Sequence, residues 1–431
     1  MTESRPAPLA AEARRLSQQG QWEAAADKLR QLITEVTGVQ ALSLHINRDQ
    51  YSLNSLNGRV SLADDRDLFF KYHHEEGEEQ TIEEYYRAEL LRDHEFEVDV
   101  PIYACGEPGR QILLYTLRSD RRLADVCREV ETAADWDAIE PIVGAQRRAD
   151  EAIFGHMLPT LRRGGLAEVE SESIHQLFWN RLVSAGQPDG LGGRVAAFYV
   201  DRPFTLGELT LDWHTLSRLH WRINGVSYPH SLRDLFLNAG RVLRPSALAD
   251  HGVVVAHGDA HNANVWYETH HPQPRLVSFD PAFAGSAIPA LLAEIKATFH
   301  NIYAHPCWLY EPADAAARYR VSVRRSGDTL EVEHNWALSP LREAFLASKG
   351  ELYWTPLLAA LKEKGLLPAN WQQIIRLALF CCPTLVMNLR AGSESNHNPV
   401  SSAIGLSVAV MLGCGGNDDF SRWLDGLLTE N

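Results

Sequence analysis

Two apolar stripes at helical spacing open the chain, over residues 9–18 and 22–36, and Gly20 separates them. They predict a short helical pair packed on the domain that follows. From Val39 the period drops to two. Residues 41–46, 58–62 and 68–72 read as strands, and a helix is expected over 81–94. Residues 100–105 and 111–117 then read as a hairpin about Glu107, Pro108 and Gly109. That order predicts a small, mostly antiparallel sheet crossed by one helix.

After Arg118 helical patterns dominate, at 122–132, 140–148, 174–183 and 231–243, with a hairpin signal inside 196–213. Residues 253–256 form a short apolar run. Residues 264–267 and 275–279 flank Thr269-His270-His271-Pro272-Gln273-Pro274 as a second hairpin. Past Ile288 the pattern reads as helical to the C-terminus, with 374–386 its most apolar segment. Residues 400–416 are nearly as apolar, but Gly, Ser and Ala dilute them, so a buried core helix is expected and not a membrane span.

Composition narrows the functional classes. The 431 residues are 45% hydrophobic and 23% charged, which suits a folded protein of more than one lobe and excludes disorder throughout. The formal charge of −15 disfavours nucleic acid and anionic membranes as partners. Six scattered cysteines form no CxxC pair, so neither a zinc site nor a disulfide framework is indicated. Reduced thiols and an N-terminus without an apolar leader point to the cytoplasm.

The chemistry concentrates in Val253–Gly285. Asp259 follows the apolar run in a turn, Asn264 stands where the chain enters a strand, and Asp280 closes the next strand. Carboxylate and amide oxygens are hard ligands suited to magnesium. An aspartate outside the metal's shell can orient an attacking hydroxyl or accept its proton. Phosphoryl transfer requires little more than that positioning and charge neutralisation.

The segment His257-Gly258-Asp259-Ala260-His261-Asn262-Ala263-Asn264 resembles the catalytic loop of the aminoglycoside phosphotransferase and choline kinase family, small-molecule kinases with a protein-kinase-like fold. The match stands at His257, Gly258, Asp259, His261 and Asn264. The resemblance implies an α+β, protein-kinase-like two-lobe fold, with a small antiparallel-sheet N-lobe and a larger helical C-lobe. Residues 1–38 would form a helical extension, 39–117 the nucleotide-binding N-lobe and 118–431 the C-lobe with the acceptor site. It further implies Asp259 as catalytic base, Asn264 as a magnesium ligand, and Asp280 as the bridge from magnesium to the phosphates of ATP or GTP.

A kinase fold also requires a lysine on the third strand and a glutamate on the next helix. Lys71 lies late in the third predicted strand and is the only lysine between Lys28 and Lys296. Glu84, followed by Leu90 and Leu91, best fits its partner, with Glu83 as the fallback and Glu89 the remaining glutamate of that helix. Backbone groups around Tyr115 and Leu117 would face the adenine. One feature departs from the pattern: no glycine precedes Gly58 in the first strand connection, which leaves the choice of ATP or GTP open. Arg48, Tyr51 and Ser52 are candidates there.

The expected activity is transfer of the γ-phosphate to a hydroxyl of a small molecule. The net charge fits a cationic acceptor such as an aminoglycoside or amino alcohol. A non-catalytic nucleotide sensor or scaffold is the alternative. A protein kinase ranks lower, because Pro281, Ala282 and Phe283 lead quickly onward and leave little room for an activation segment. Three clusters could line an acceptor pocket, although packing is the commoner role of such residues: Trp213, His214, His220 and Trp221; Phe299, His300, Tyr303, His305 and Trp308; and Asn388, Arg390, Glu394, His397 and Asn398. His270 and His271 read as turn residues without a ligand partner.

Overall fold

The computed structural model describes residues 7–47, 55–73, 81–184, 190–305 and 307–428, with the backbone alone at 55, 73 and 81–84. The chain forms two compact units, one of Met1–Asp120 with Val277–Ala282, the other of Arg121–Leu276 with Phe283–Asn431.

The first unit begins with helices α1 (Leu9–Gln18) and α2 (Trp22–Thr37). Gly38 takes up the left-handed backbone that ends α2, with φ of 70°. Strands β1 (Ala41–Ile46), β2 (Ser55–Leu62) and β3 (Asp67–His73) follow, then helix α3 (Thr81–Asp93), β4 (Tyr103–Cys105) and β5 (Ile112–Thr116). The sheet order is β1-β2-β3-β5-β4, antiparallel throughout. The order predicted from periodicity is therefore present, with β2 and β3 extended at their ends. Leu29, Leu32 and Ile33 of α2 share one core with Leu56, Val60, Phe70 and Leu114 of the sheet, so the helical pair covers the sheet's apolar face. Gly58 lies opposite Ile46, where a Cβ would overlap the His45 carbonyl oxygen. Its role is close strand approach.

The second unit is mainly helical, with short sheets. Strand Gly252–Ala256 is buried along its whole length and pairs antiparallel with Gly285–Pro289 and Arg162–Arg163. The expectation of helix alone past Ile288 is wrong. Val321–Ser326 and Thr329–His334 form a hairpin about Gly327, and Thr329–His334 pairs in parallel with His220–Ile223. Val321, Val323, Leu330 and Val332 alternate with polar neighbours at strand spacing, a short-range signal that the surrounding helices obscured. Helices Trp371–Val386 and Pro399–Cys414 form the apolar core of this unit. The stretch Pro399–Gly426 is long and apolar enough to cross a membrane, yet Ser401–Val410 is buried inside the fold, as expected of a core helix. None of the six cysteines forms a disulfide.

Candidate functional site

In the second unit, strand Gly252–Ala256 runs directly into His257, Gly258 and Asp259. Gly258 has φ of 77°, and a Cβ there would stand 2.9 Å from the Phe283 carbonyl oxygen. Only glycine suits both conditions at the residue before Asp259. The loop folds around the Asp259 carbonyl oxygen, which accepts from the His261 amide at 2.8 Å and from Asn264 Nδ2 at 3.1 Å. The Asn264 amide donates to the His261 carbonyl at 2.7 Å, closing a 3-10 turn before strand Val265–Glu268. Asp259 and Asn264 are thereby locked together. The bond through Nδ2 leaves the Asn264 side chain's oxygen end as its donor for a hard cation.

Residues outside the loop brace it, and sequence reasoning gave them no such role. Helix Ile295–Thr298 continues into a π-helical turn, Phe299–Tyr303. Asn301 Oδ1 accepts the Asn262 amide at 2.8 Å, and the His300 ring stacks on His261 with centroids 4.5 Å apart. Lys296 Nζ lies 2.9 Å from His300 Nε2 and 4.0 Å from Asp259 Oδ1. Burial, reinforced by Lys296, holds the His300 imidazole well below its ordinary pKa, so the ring is neutral. The faint sequence signal was the scarcity of lysine: the chain has six, at 28, 71, 296, 349, 362 and 364.

In the first unit, Val277–Ala282 is stitched to the segment after α3. Ser278 and Val98 form a parallel bridge, the Asp99 amide donates to Ser278 O at 2.8 Å, and the Ser278 amide donates to Glu97 O at 2.9 Å. Arg87 of α3 donates to the Ala282 carbonyl. These bonds carry Asp280 to Lys71 of β3, whose Nζ stands 2.7 Å from Asp280 Oδ1. Asp280 has φ of 55°, a left-handed backbone uncommon outside glycine and tolerated best by Asn and Asp. Its side chain is 41% exposed, against 16% for Lys71. That leaves the carboxylate accessible to a further cation.

Glu84 lies within α3, with its side chain outside the described residues, as is that of Glu83. Glu89 is engaged by Tyr85 at 2.7 Å and by Arg92 at 3.4 Å. Tyr115 pairs with Phe69 of β3, and the Leu117 amide donates to Asp67 O at 3.3 Å. That amide is therefore engaged inside the sheet and does not face a base. Ladder alternation turns Leu114 to the opposite edge, where it accepts the Ile102 amide at 2.8 Å, and turns Thr116 the same way. Arg48, Tyr51 and Ser52 lie outside the described residues.

The three acceptor-side clusters separate. Trp213 and Trp221 are core residues, while His214 contacts Arg218 and His220 contacts Pro229 O. Arg390 is tied to Glu394 and to Phe198 O, His397 to Ser401, and Asn398 caps helix Pro399–Cys414. Of the second cluster, His300 reaches the catalytic loop, where it stacks on His261. The absence of a ligand partner for His270 and His271 is corrected. Glu268 Oε2 lies 3.2 Å from His271 Nε2 and 4.0 Å from His270 Nε2, because the strand returns the buried carboxylate beneath the hairpin tip.

No family model matches this chain, and no curated protein does. Solved structures similar to it include a macrolide 2'-phosphotransferase type I, at 13% identity and a TM-score of 0.40, covering 91% of this chain and 97% of that one. Another is a spectinomycin phosphotransferase in complex with ADP and spectinomycin, at 12% identity and a TM-score of 0.40, covering 90% and 97%. A third is an aminopropanol kinase associated with a microcompartment, at 14% identity and a TM-score of 0.40, covering 89% and 94%.

Proposed function

We propose that this chain is a phosphotransferase that moves the γ-phosphate of ATP or GTP to a hydroxyl of a small molecule. The observation that carries this reading is the Lys71–Asp280 ion pair, formed within one unit by two residues that were nominated from separate stretches of sequence. A lysine on the third strand and an aspartate after the catalytic hairpin are the pair that phosphate and metal binding require.

Residues 39–117 act as the nucleotide lobe, with 1–38 as its helical extension, and 118–431 as the acceptor lobe. Lys71 neutralises phosphate charge, and Glu84 is its proposed second partner. Asp280 is the proposed magnesium ligand, and Asn264 is the second one that the resemblance implies. Their carboxylate and amide oxygens fit that ion. Magnesium, when bound, supplies neutralisation of phosphate charge. Asp259 orients the acceptor hydroxyl and takes its proton. Backbone groups of the β5 end serve the base, with Thr116, turned away from β3, in place of Tyr115 and the Leu117 amide. The six unpaired thiols suit a reducing, cytoplasmic setting.

The test is thermal stability with magnesium-ATP and magnesium-GTP, on the wild type and on Asp280→Ala. The reading expects a rise in Tm for the wild type that the variant loses while remaining folded. No rise with either nucleotide at millimolar concentration would overturn it. Screening of amino alcohols and aminoglycosides for phosphorylation would then define the acceptor.

A further inference from the structure

The hairpin tip at residues 269–274 carries chemistry that the proposed phosphoryl transfer does not use. Glu268 ends strand Val265–Glu268, and its side chain is 7% exposed. A buried carboxylate requires a cation or hydrogen-bond donors. The fold brings two imidazoles to it. His271 Nε2 stands 3.2 Å from Glu268 Oε2, and His270 Nε2 stands 4.0 Å from the same oxygen. The three ligand atoms all lie within 4.8 Å of one another. Among the described residues, no other three His, Cys, Asp or Glu side chains converge in this way.

The distances separate two explanations. A hydrogen bond accounts for His271 at 3.2 Å, but not for His270, since 4.0 Å is outside hydrogen-bond range. Ligands of one metal ion obey a different spacing. With metal–nitrogen and metal–oxygen distances of about 2.0–2.2 Å, neighbouring ligand atoms of a tetrahedral shell stand roughly 3.3–3.6 Å apart. Rotation of His270, whose side chain is 59% exposed, brings the three atoms to that spacing. The two rings already lie side by side, with centroids 4.2 Å apart. The sequence prepares this geometry locally. His271 and Gln273 each precede a proline, which disfavours helical backbone at both, and Pro272 and Pro274 fix their own φ. A tip so restricted loses little entropy when it is held. Arg148 of helix Glu140–Met157 anchors its far end by donating to the Pro274 carbonyl at 2.7 Å.

We propose that Glu268, His270 and His271 form a binding site for a divalent cation of the zinc class, with three protein ligands and the remaining position open to water. The ligand set selects the ion. Two imidazoles and one carboxylate suit zinc, whereas magnesium and calcium take oxygen ligands. The site is separate from the proposed magnesium ligands. It lies at the opposite end of strand Val265–Glu268 from Asn264, and His271 precedes Asp280 by nine residues. Bound there, the ion ties the end of the strand to the hairpin tip, within the stretch of chain that joins Asn264 to Asp280.

The experiment is calorimetric titration of the chelator-treated full chain with zinc chloride, in the wild type, Glu268→Gln, His270→Ala, His271→Ala and Asp280→Ala, with circular dichroism to check each fold. The expected result is one zinc ion per chain in the wild type and in Asp280→Ala. Each of the other three variants should weaken binding about tenfold or more, since even groups that only support a metal ligand are worth about 10–100-fold in affinity. Magnesium chloride in large excess should leave the zinc isotherm unchanged. The histidines stand at the surface of the tip, so their variants keep the test decisive if Glu268→Gln does not fold. Absence of saturable zinc binding by the wild type would overturn the proposal. Unchanged affinity in both histidine variants would do the same, as would binding lost in Asp280→Ala, which would move the ion to the proposed magnesium site. Binding lost in the histidine variants and untouched in a folded Glu268→Gln would leave only a surface histidine pair and would also overturn it.

Discussion

Lys71 and Asp280 are 209 residues apart in the chain and 2.7 Å apart in space. Their meeting depends on a strand end, at Val277 and Ser278, that leaves its own hairpin and bonds to Glu97 and Asp99. The Asp280 carboxylate is the more exposed member of the pair, at 41% against 16% for Lys71.

Replacing Lys71 by Met should raise the nucleotide KM about ten- to hundred-fold, the worth of one charge-assisted hydrogen bond of roughly 1.5–3 kcal/mol. Acceptor KM should stay unchanged. Steady-state kinetics varying each substrate separately checks this, and an effect confined to the acceptor would place Lys71 elsewhere.

Asp259→Ala should retain nucleotide binding by calorimetry while transfer falls on the order of a hundred-fold or more. The loop should keep its shape, because the His261 amide and Asn264 Nδ2 bond to the Asp259 backbone oxygen, which the substitution retains. Equal turnover in this variant would remove the base role.

Lys349 joins Asp150, at 2.5 Å, and Glu294, at 3.0 Å, with all three side chains almost wholly buried. Burial pushes the Glu294 carboxyl up, and the neighbouring ammonium opposes that. Lys349→Met should destabilise the second unit by about 3–5 kcal/mol, since it strands two buried acids. Denaturant titration would register the loss as a lower midpoint. An unchanged midpoint would mean that the acids simply take up protons without cost.

Burial holds His305 near a pKa of about 4, with Arg342 adding to the effect, and burial alone does the same to His397. Both are neutral in the folded protein at pH 5, whereas an unfolded histidine titrates near 6.5. The unfolded chain therefore binds more protons between those values, and stability falls as pH drops from about 6.5 towards 4. Each histidine should cost roughly 2 kcal/mol by pH 5. Chemical denaturation at pH 7 and pH 5 tests the sum, and His397→Gln should flatten part of the slope.

The local elements of the first unit were legible residue by residue. Leu9 and Ala13 in α1, and Leu29 and Ile33 in α2, lie at helical spacing, and Leu68, Phe70 and Tyr72 at strand spacing, so period alone located α1, α2 and β3. The hairpin Val321–His334 was equally regular and was overlooked within a long helical region. The parallel pairing of Thr329–His334 with His220–Ile223 was not legible, because nothing local records which distant strand completes a sheet.

By itself the sequence determined which residue types could perform the chemistry. A glycine before Asp259, an asparagine five residues on and an aspartate after a hairpin are a local pattern, and local backbone preference suffices to build it. Tertiary structure alone decided the partners. Lys296 reaches Asp259 across 37 residues through the widening of one helical turn, and Lys71 reaches Asp280 through backbone bonds to residues 97–99. The physical reason is that a charge buried in a folded chain must be matched by whatever opposite charge the packing brings within reach. No periodicity along the chain encodes that distance.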